Sequence, residues 1–146
     1  MSTDAAPMRH ALAVTAAVLR QGERIDTLSR ALTVLSLIGL AVLGTARDAW
    51  PAMLPCAAAL LAGLIELWFA ARAGIDTALF QNLAAAEGDP DWAALDGALV
   101  RLALMPAAKA GRPAAARMAG ALRLPRCQAA ALLAQCVLLV LAVWLR

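Results

Sequence analysis

The sequence predicts an all-α integral membrane protein with three transmembrane helices and amphipathic cytoplasmic helices. Three observations predict it. Of its 146 residues, 63% are hydrophobic and 16% charged, with a mean hydropathy of +0.74; soluble domains are roughly 45–50% apolar and about 25% charged. The apolar residues come in long runs: Ala31 to Ala46 and Cys127 to Leu145 carry no charge, and Ala49 to Ala71 carries one, Glu66. The basic residues fall almost entirely on one side of those runs. With no Tyr and two Phe, the apolar mass is Ala, Leu and Val, which favours helix. The runs are continuous rather than alternating, which argues against a β-barrel.

Residues 1–30 read as a cytoplasmic amphipathic N-terminal helix that runs from about Pro7 into the first span. Ala11, Val18, Ile25 and Leu32 recur every seven residues, with Val14, Gln21, Leu28 and Leu35 at companion positions. This coiled-coil-like seam of under four heptads suits self-association, or packing on the protein's own cytoplasmic segments. Asp26 and Arg30 form a favourable i,i+4 pair, and His10 is expected to be solvated. No uncharged stretch followed by a cleavage site opens the chain, so no signal peptide is expected.

Residues 31–73 read as a helical hairpin, with spans at about 29–46 and 50–71 joined through "TARDAWP". A span needs about 20 apolar residues. The first run is short, but Leu28 and Ser29 extend it while Arg30 and Arg47 snorkel. Residues 74–126 read as a cytoplasmic helical connection with a basic segment. The second helix continues through "IDTALFQNLAAAE", with Arg72 and Asp76 paired at the membrane surface. In "EGDPDW", Gly88 stops that helix, Asp89 caps the next and Pro90 suits its first turn. An amphipathic helix from Pro90 to Met105 then gathers Trp92, Leu95, Leu99, Leu102 and Leu104, and Pro106 ends it. A short helix starts at Pro113. Residues 127–146 form the third span.

Orientation follows from the basic residues. Eleven Lys/Arg lie before the first span or between spans two and three, against Arg47 and Arg146 on the other side. The N-terminus and the long connection are therefore expected in the cytoplasm and the C-terminus outside. Tryptophan placement agrees. Trp50 and Trp68 are 18 residues apart, about 27 Å on a helix, close to the roughly 30 Å of a hydrocarbon core, whose edges Trp prefers. Trp144 falls level with Trp50.

Glu66 then lies only about 3 Å deeper than Trp68, at the cytoplasmic shoulder of the bilayer. It shares a face with Ala59, Ala62, Gly63, Ala70 and Ala73, small residues that let helices approach closely. The expectation is an ion pair inside the bundle with Arg30 or Arg126; a proton or cation site, or a partner contact, is the alternative. Gln128 and Gln135 share a face of the third span, and Ser29, Thr33, Ser36 and Gly39 form a polar stripe on the first. Interhelical bonds from such residues contribute about 0.6–2 kcal/mol each. Lys109, Arg112, Arg117 and Arg123 form an acid-free basic patch suited to anionic lipid headgroups.

Enzyme motifs are absent. Cys56, Cys127 and Cys136 lie in spans without a CxxC or a nearby His, and the glycines make no phosphate-binding pattern. No catalytic residue, metal or cofactor is expected, and nucleic acid is not an expected partner, since no aromatic interleaving or recognition motif accompanies the basic segment. The leading expectation is a non-enzymatic accessory or scaffold subunit of the bacterial inner membrane, forming a homo-oligomer or joining a larger membrane complex. The alternative is a small transporter or channel component with Glu66 and Gln135 lining a path. A holin-like protein is a third reading. Ala- and Arg-rich usage points to a GC-rich bacterium.

Overall fold

The computed structural model describes residues 5–86 and 90–146, and every regular element among them is helical. Helix α1 (Ala5–Arg20) leads almost without a break into α2 (Gly22–Leu43). Gln21 between them keeps a right-handed helical backbone and bonds Val18 O at 3.2 Å. A turn at residues 44–49 reverses the chain into α3 (Trp50–Ala85). Helices α4 (Trp92–Arg101) and α5 (Ala114–Ala121), with a 3-10 turn at Ala107–Lys109 between them, lead to α6 (Leu124–Trp144). Three helical stretches, Ala6–Leu43, Trp50–Ala85 and Ala114–Trp144, are long and apolar enough to cross a membrane.

Helix α3 is the central element. Its 36 residues reach about 54 Å, well beyond a hydrocarbon core of roughly 30 Å. Pro51 stands in its first turn, where a missing N–H is harmless. The half of α3 nearest the 44–49 turn packs between α2 and α6, and the other half packs on α1.

The buried residues recur with a period of seven. On α2 they are Gly22, Ser29, Ser36 and Leu43; on α3, Ala52, Ala59, Glu66, Ala73 and Phe80, with Cys56, Gly63 and Thr77 at companion positions and Pro55 beside them; on α6, Gln128, Gln135 and Ala142. A sustained seven-residue repeat keeps one seam facing its partner along the whole helix. This corrects the expected N-terminal seam by one residue. Val14, Leu28 and Leu35 point outward, 62%, 52% and 53% exposed, while Leu12, Thr15, Leu19, Gly22, Ser29 and Ser36 are buried. The reason is size: along α2 the seam is built largely from Gly and Ser, which leave room for the Gln128 and Gln135 side chains of α6.

Apolar clusters close the two ends of the bundle. Leu43, Ala52, Cys56 and Ala142 pack near the 44–49 turn. Leu12, Ala16, Leu19, Phe80 and Ala121 pack at the opposite end, covered by Met118 and Trp92. Between them the interior is polar and the exterior apolar: Val34, Ile38, Leu61, Ile65, Val137 and Val140 are all exposed. Buried polar groups under an exposed apolar coat invert the soluble pattern.

The connection differs from expectation in detail. The expected helix stop at Gly88 and cap at Asp89 lie outside the described residues. Asp91 caps α4, accepting from Ala94 N at 2.9 Å. The helix ends at Arg101 rather than Met105, before Pro106 can act. Leu104 N bonds Leu99 O at 2.9 Å and Ala103 N bonds Val100 O at 3.0 Å, a Schellman closure that places Ala103 in the left-handed region at φ 55°. Met105 is thereby buried and Leu102 and Leu104 are left exposed.

Candidate functional site

The seams of α2, α3 and α6 meet in a polar ladder with two rungs. In the first, Ser29 Oγ donates to Gln135 Oε1 at 3.0 Å, and Gln135 Nε2 donates to Thr33 Oγ1 at 3.0 Å and to Ser29 O at 3.4 Å. Gln135 is fully buried, and its side-chain hydrogen bonds among the described residues run to α2. In the second rung, Gln128 Nε2 donates to Glu66 Oε1 at 3.1 Å. Glu66 is 0% exposed. Its Oε2 and Gln128 Oε1 have no hydrogen-bond partner among the described residues.

Two glycines make room for these amides. A Cβ on Gly63 would collide with Thr33 Oγ1 and Gln135 Nε2, and one on Gly22 would stand 2.5 Å from Gln128 Oε1. Ala59, one turn from Gly63, is fully buried on the same seam. Ser36 is buried as well: its hydroxyl donates to Leu32 O at 2.8 Å, and its carbonyl accepts from Cys56 Sγ at 3.2 Å. The α3 turns that carry Glu66, Gly63 and Ala59 therefore face Thr33 and Ser36 on one side and Gln128 and Gln135 on the other.

Neither arginine meets Glu66. Arg30 follows Ser29 in sequence, so it leaves the seam and points outward, where it pairs with Asp26 at 2.8 Å. Arg126, two residues before Gln128, is exposed. The expected ion pair is replaced by an amide–carboxyl hydrogen bond, because the seven-residue repeat puts Gln128 and not a cation opposite Glu66. Gly22 was not singled out by sequence reading. Its signal was legible: it stands seven residues before Ser29 and fourteen before Ser36.

A second polar centre lies in the connection between α3 and α6. Arg117 grips Asp96 with two nitrogens, both at 2.7 Å, and Gly111 N donates to the same carboxylate at 2.7 Å. Both side chains are under a tenth exposed, and the Arg117 guanidinium lies 5.4 Å from the Trp92 ring centre. The guanidinium, and next the Gly111 amide, hold the Asp96 carboxyl below its ordinary range. Arg117 therefore leaves the expected headgroup patch; its charge is spent inside. Lys109, Arg112 and Arg123 are exposed. Asp76 lies 3.9 Å from Arg72.

Chemically, the ladder offers hydroxyls, amides and one carboxyl, a set that joins helices or holds a proton. No family model, curated protein or solved structure matches this chain.

Proposed function

We propose that the chain is a non-enzymatic, multi-pass protein of the bacterial inner membrane, serving as an accessory or scaffold subunit. In this reading its N-terminus and connection lie in the cytoplasm and its C-terminus outside. It associates with anionic lipid and with copies of itself or another membrane protein. The observation that carries the reading is Gln135: both ends of its amide are consumed within the chain, by Ser29 and Thr33, so the group best placed to line a path instead fastens α6 to α2. The exposed apolar coat of the three long helices supports a lipid setting, and the one-sided distribution of Lys and Arg supports the orientation.

A second reading, a small transporter or channel component, is favoured by one observation. Glu66 Oε2 and Gln128 Oε1 are buried acceptors without donors among the described residues, and a buried carboxyl with spare hydrogen-bonding capacity is a proton-site candidate. The two readings part on mutation. For a scaffold, Glu66→Gln and Gln135→Leu lower thermal stability or the mass of the complex extracted gently from native membranes, and liposome flux is absent. Altered flux, or altered pH dependence of flux, with an unchanged complex mass would overturn the scaffold reading. A stoichiometric foreign protein in that complex makes the chain an accessory subunit; a closed homo-oligomer makes it a self-assembling one.

A further inference from the structure

We propose that the pocket between α3, α4, α5 and the 3-10 turn binds the phosphate-bearing headgroup of an anionic phospholipid; this rests on the membrane-spanning reading above. The cavity, of about 220 Å³, has the volume of roughly seven waters. It brings together four cations, Arg72, Lys109, Arg112 and Arg117, with one carboxylate, Asp76. Arg117 is matched by Asp96 at 2.7 Å, and Arg72 stands 3.9 Å from Asp76. Among the described residues no carboxylate lies within ion-pair distance of Lys109 or Arg112. The chamber therefore carries a surplus of two positive charges.

This is a built site rather than a loose basic tail. The loop bearing Lys109 and Arg112 is pinned at Gly111, whose N–H meets Asp96 and whose φ is 73°. Arg112 Nε donates to Lys109 O at 3.1 Å, and Arg117 Nε donates to Arg112 O at 2.9 Å. The buried Asp96–Arg117 pair thus positions the loop that carries Lys109 and Arg112. The Arg112 guanidinium so held, with the Lys109 ammonium on the same loop, matches the charge and the acceptor-rich surface of a phosphate.

The setting selects a lipid over a soluble phosphate. Arg72 is one turn beyond the exposed Trp68, about 6 Å along α3, the level of headgroups if Trp68 marks the hydrocarbon edge. Arg72 Nη1 also bonds Leu104 O at 3.1 Å. That places the exposed Leu102 and Leu104 beside the pocket, where acyl chains begin.

The test uses the full chain in neutral detergent, titrated with phosphatidylglycerol and phosphatidylcholine and read by native mass spectrometry. Phosphatidylglycerol should be retained preferentially. Lys109→Ala and Arg112→Ala should each weaken it about tenfold, Lys109→Arg should restore it, and Arg20→Ala, exposed on α1 and outside the pocket, should change it less than about twofold. Equal losses at all three positions would mean diffuse attraction and overturn the site. Displacement of the lipid by inorganic phosphate would overturn the lipid assignment. Alkaline washing of the source membranes separates the two levels: a chain that washes off refutes the membrane reading, whereas a retained chain with unchanged lipid binding in Lys109→Ala refutes the pocket alone. Circular dichroism of each variant checks that the helices persist.

Discussion

Alanine at Gly63 should destabilise the bundle, although alanine is ordinarily the better helix residue. A glycine-to-alanine change in a helix interior gains about 0.8–1 kcal/mol from propensity alone. At Gly63 the added methyl meets two obstacles. Gln135 Nε2 is the end of a flexible side chain and can swing aside, but doing so breaks its bonds to Thr33 Oγ1 and Ser29 O, at about 0.6 kcal/mol each. At Thr33 a χ1 change can move Oγ1, but Cβ, 3.1 Å from the added methyl, is bonded directly to the α2 backbone, so the helices must part at an overpacking cost of about 1–3 kcal/mol. The net expectation is a loss of about 1–3 kcal/mol. Gly74 on the same helix supplies the control, since a Cβ there meets nothing within 4 Å; Gly74→Ala should stabilise by about 0.8–1 kcal/mol. Unfolding in mixed micelles with rising sodium dodecyl sulfate, followed by far-ultraviolet circular dichroism, measures both. Equal stabilisation by the two substitutions would refute the close approach of α2, α3 and α6.

Other outcomes follow from single features. Ala103→Gly should gain about 0.5–1 kcal/mol, because relief of a left-handed alanine outweighs the added freedom of the unfolded chain; slower hydrogen exchange in α4 would show it, and faster exchange would count against the Schellman closure. Asp96 has a folded pKa below its unfolded value of about 3.9. Its pairing therefore stabilises fully above that value, and the contribution is lost as pH falls through it towards the lower, folded pKa. Asp96→Asn should lower exchange protection of α4 and α5 at neutral pH and flatten its acid dependence; an unchanged acid profile would contradict the pairing. In liposomes, lipids brominated near the headgroup should quench Trp50, Trp68 and Trp144, all exposed, more strongly than lipids brominated at the chain ends. Stronger quenching from the chain ends would undo the depth assignment.

The helices were legible in the sequence because uncharged runs of that length have few other uses. The residues inside the bundle were partly legible: Glu66, Gln128, Gln135, Ser36 and Gly63 stand on the buried seams. The N-terminal phase differs by one residue because along α2 the larger apolar residues, Leu28 and Leu35, face outward and their smaller neighbours Ser29 and Ser36 face inward. Where the exterior is as apolar as the interior, hydrophobicity no longer marks the core and small size does; Gly22, Ser29 and Ser36 carry that signal. Two further features resist sequence reading. Asp96 and Arg117 are 21 residues apart, brought together by a 3-10 turn and a left-handed glycine, and no periodicity links them. The partner of Glu66 lies 62 residues away on another helix, and Arg126, two residues earlier on that helix, falls out of phase with the seam and faces outward.

Chain order gives the polar ladder a consequence for biogenesis. Helices α2 and α3 are synthesised as a hairpin before either of their glutamine partners exists. On the membrane-spanning reading, the half-made protein enters lipid with the Ser29 hydroxyl and the Glu66 carboxyl still lacking the groups that satisfy them. Helix α6 then completes both rungs at once, with Gln128 and Gln135 two turns apart. The last helix therefore works as a latch, and until it arrives the newborn hairpin displays a polar stripe to any chaperone or protease that surveys the bilayer for unfinished chains.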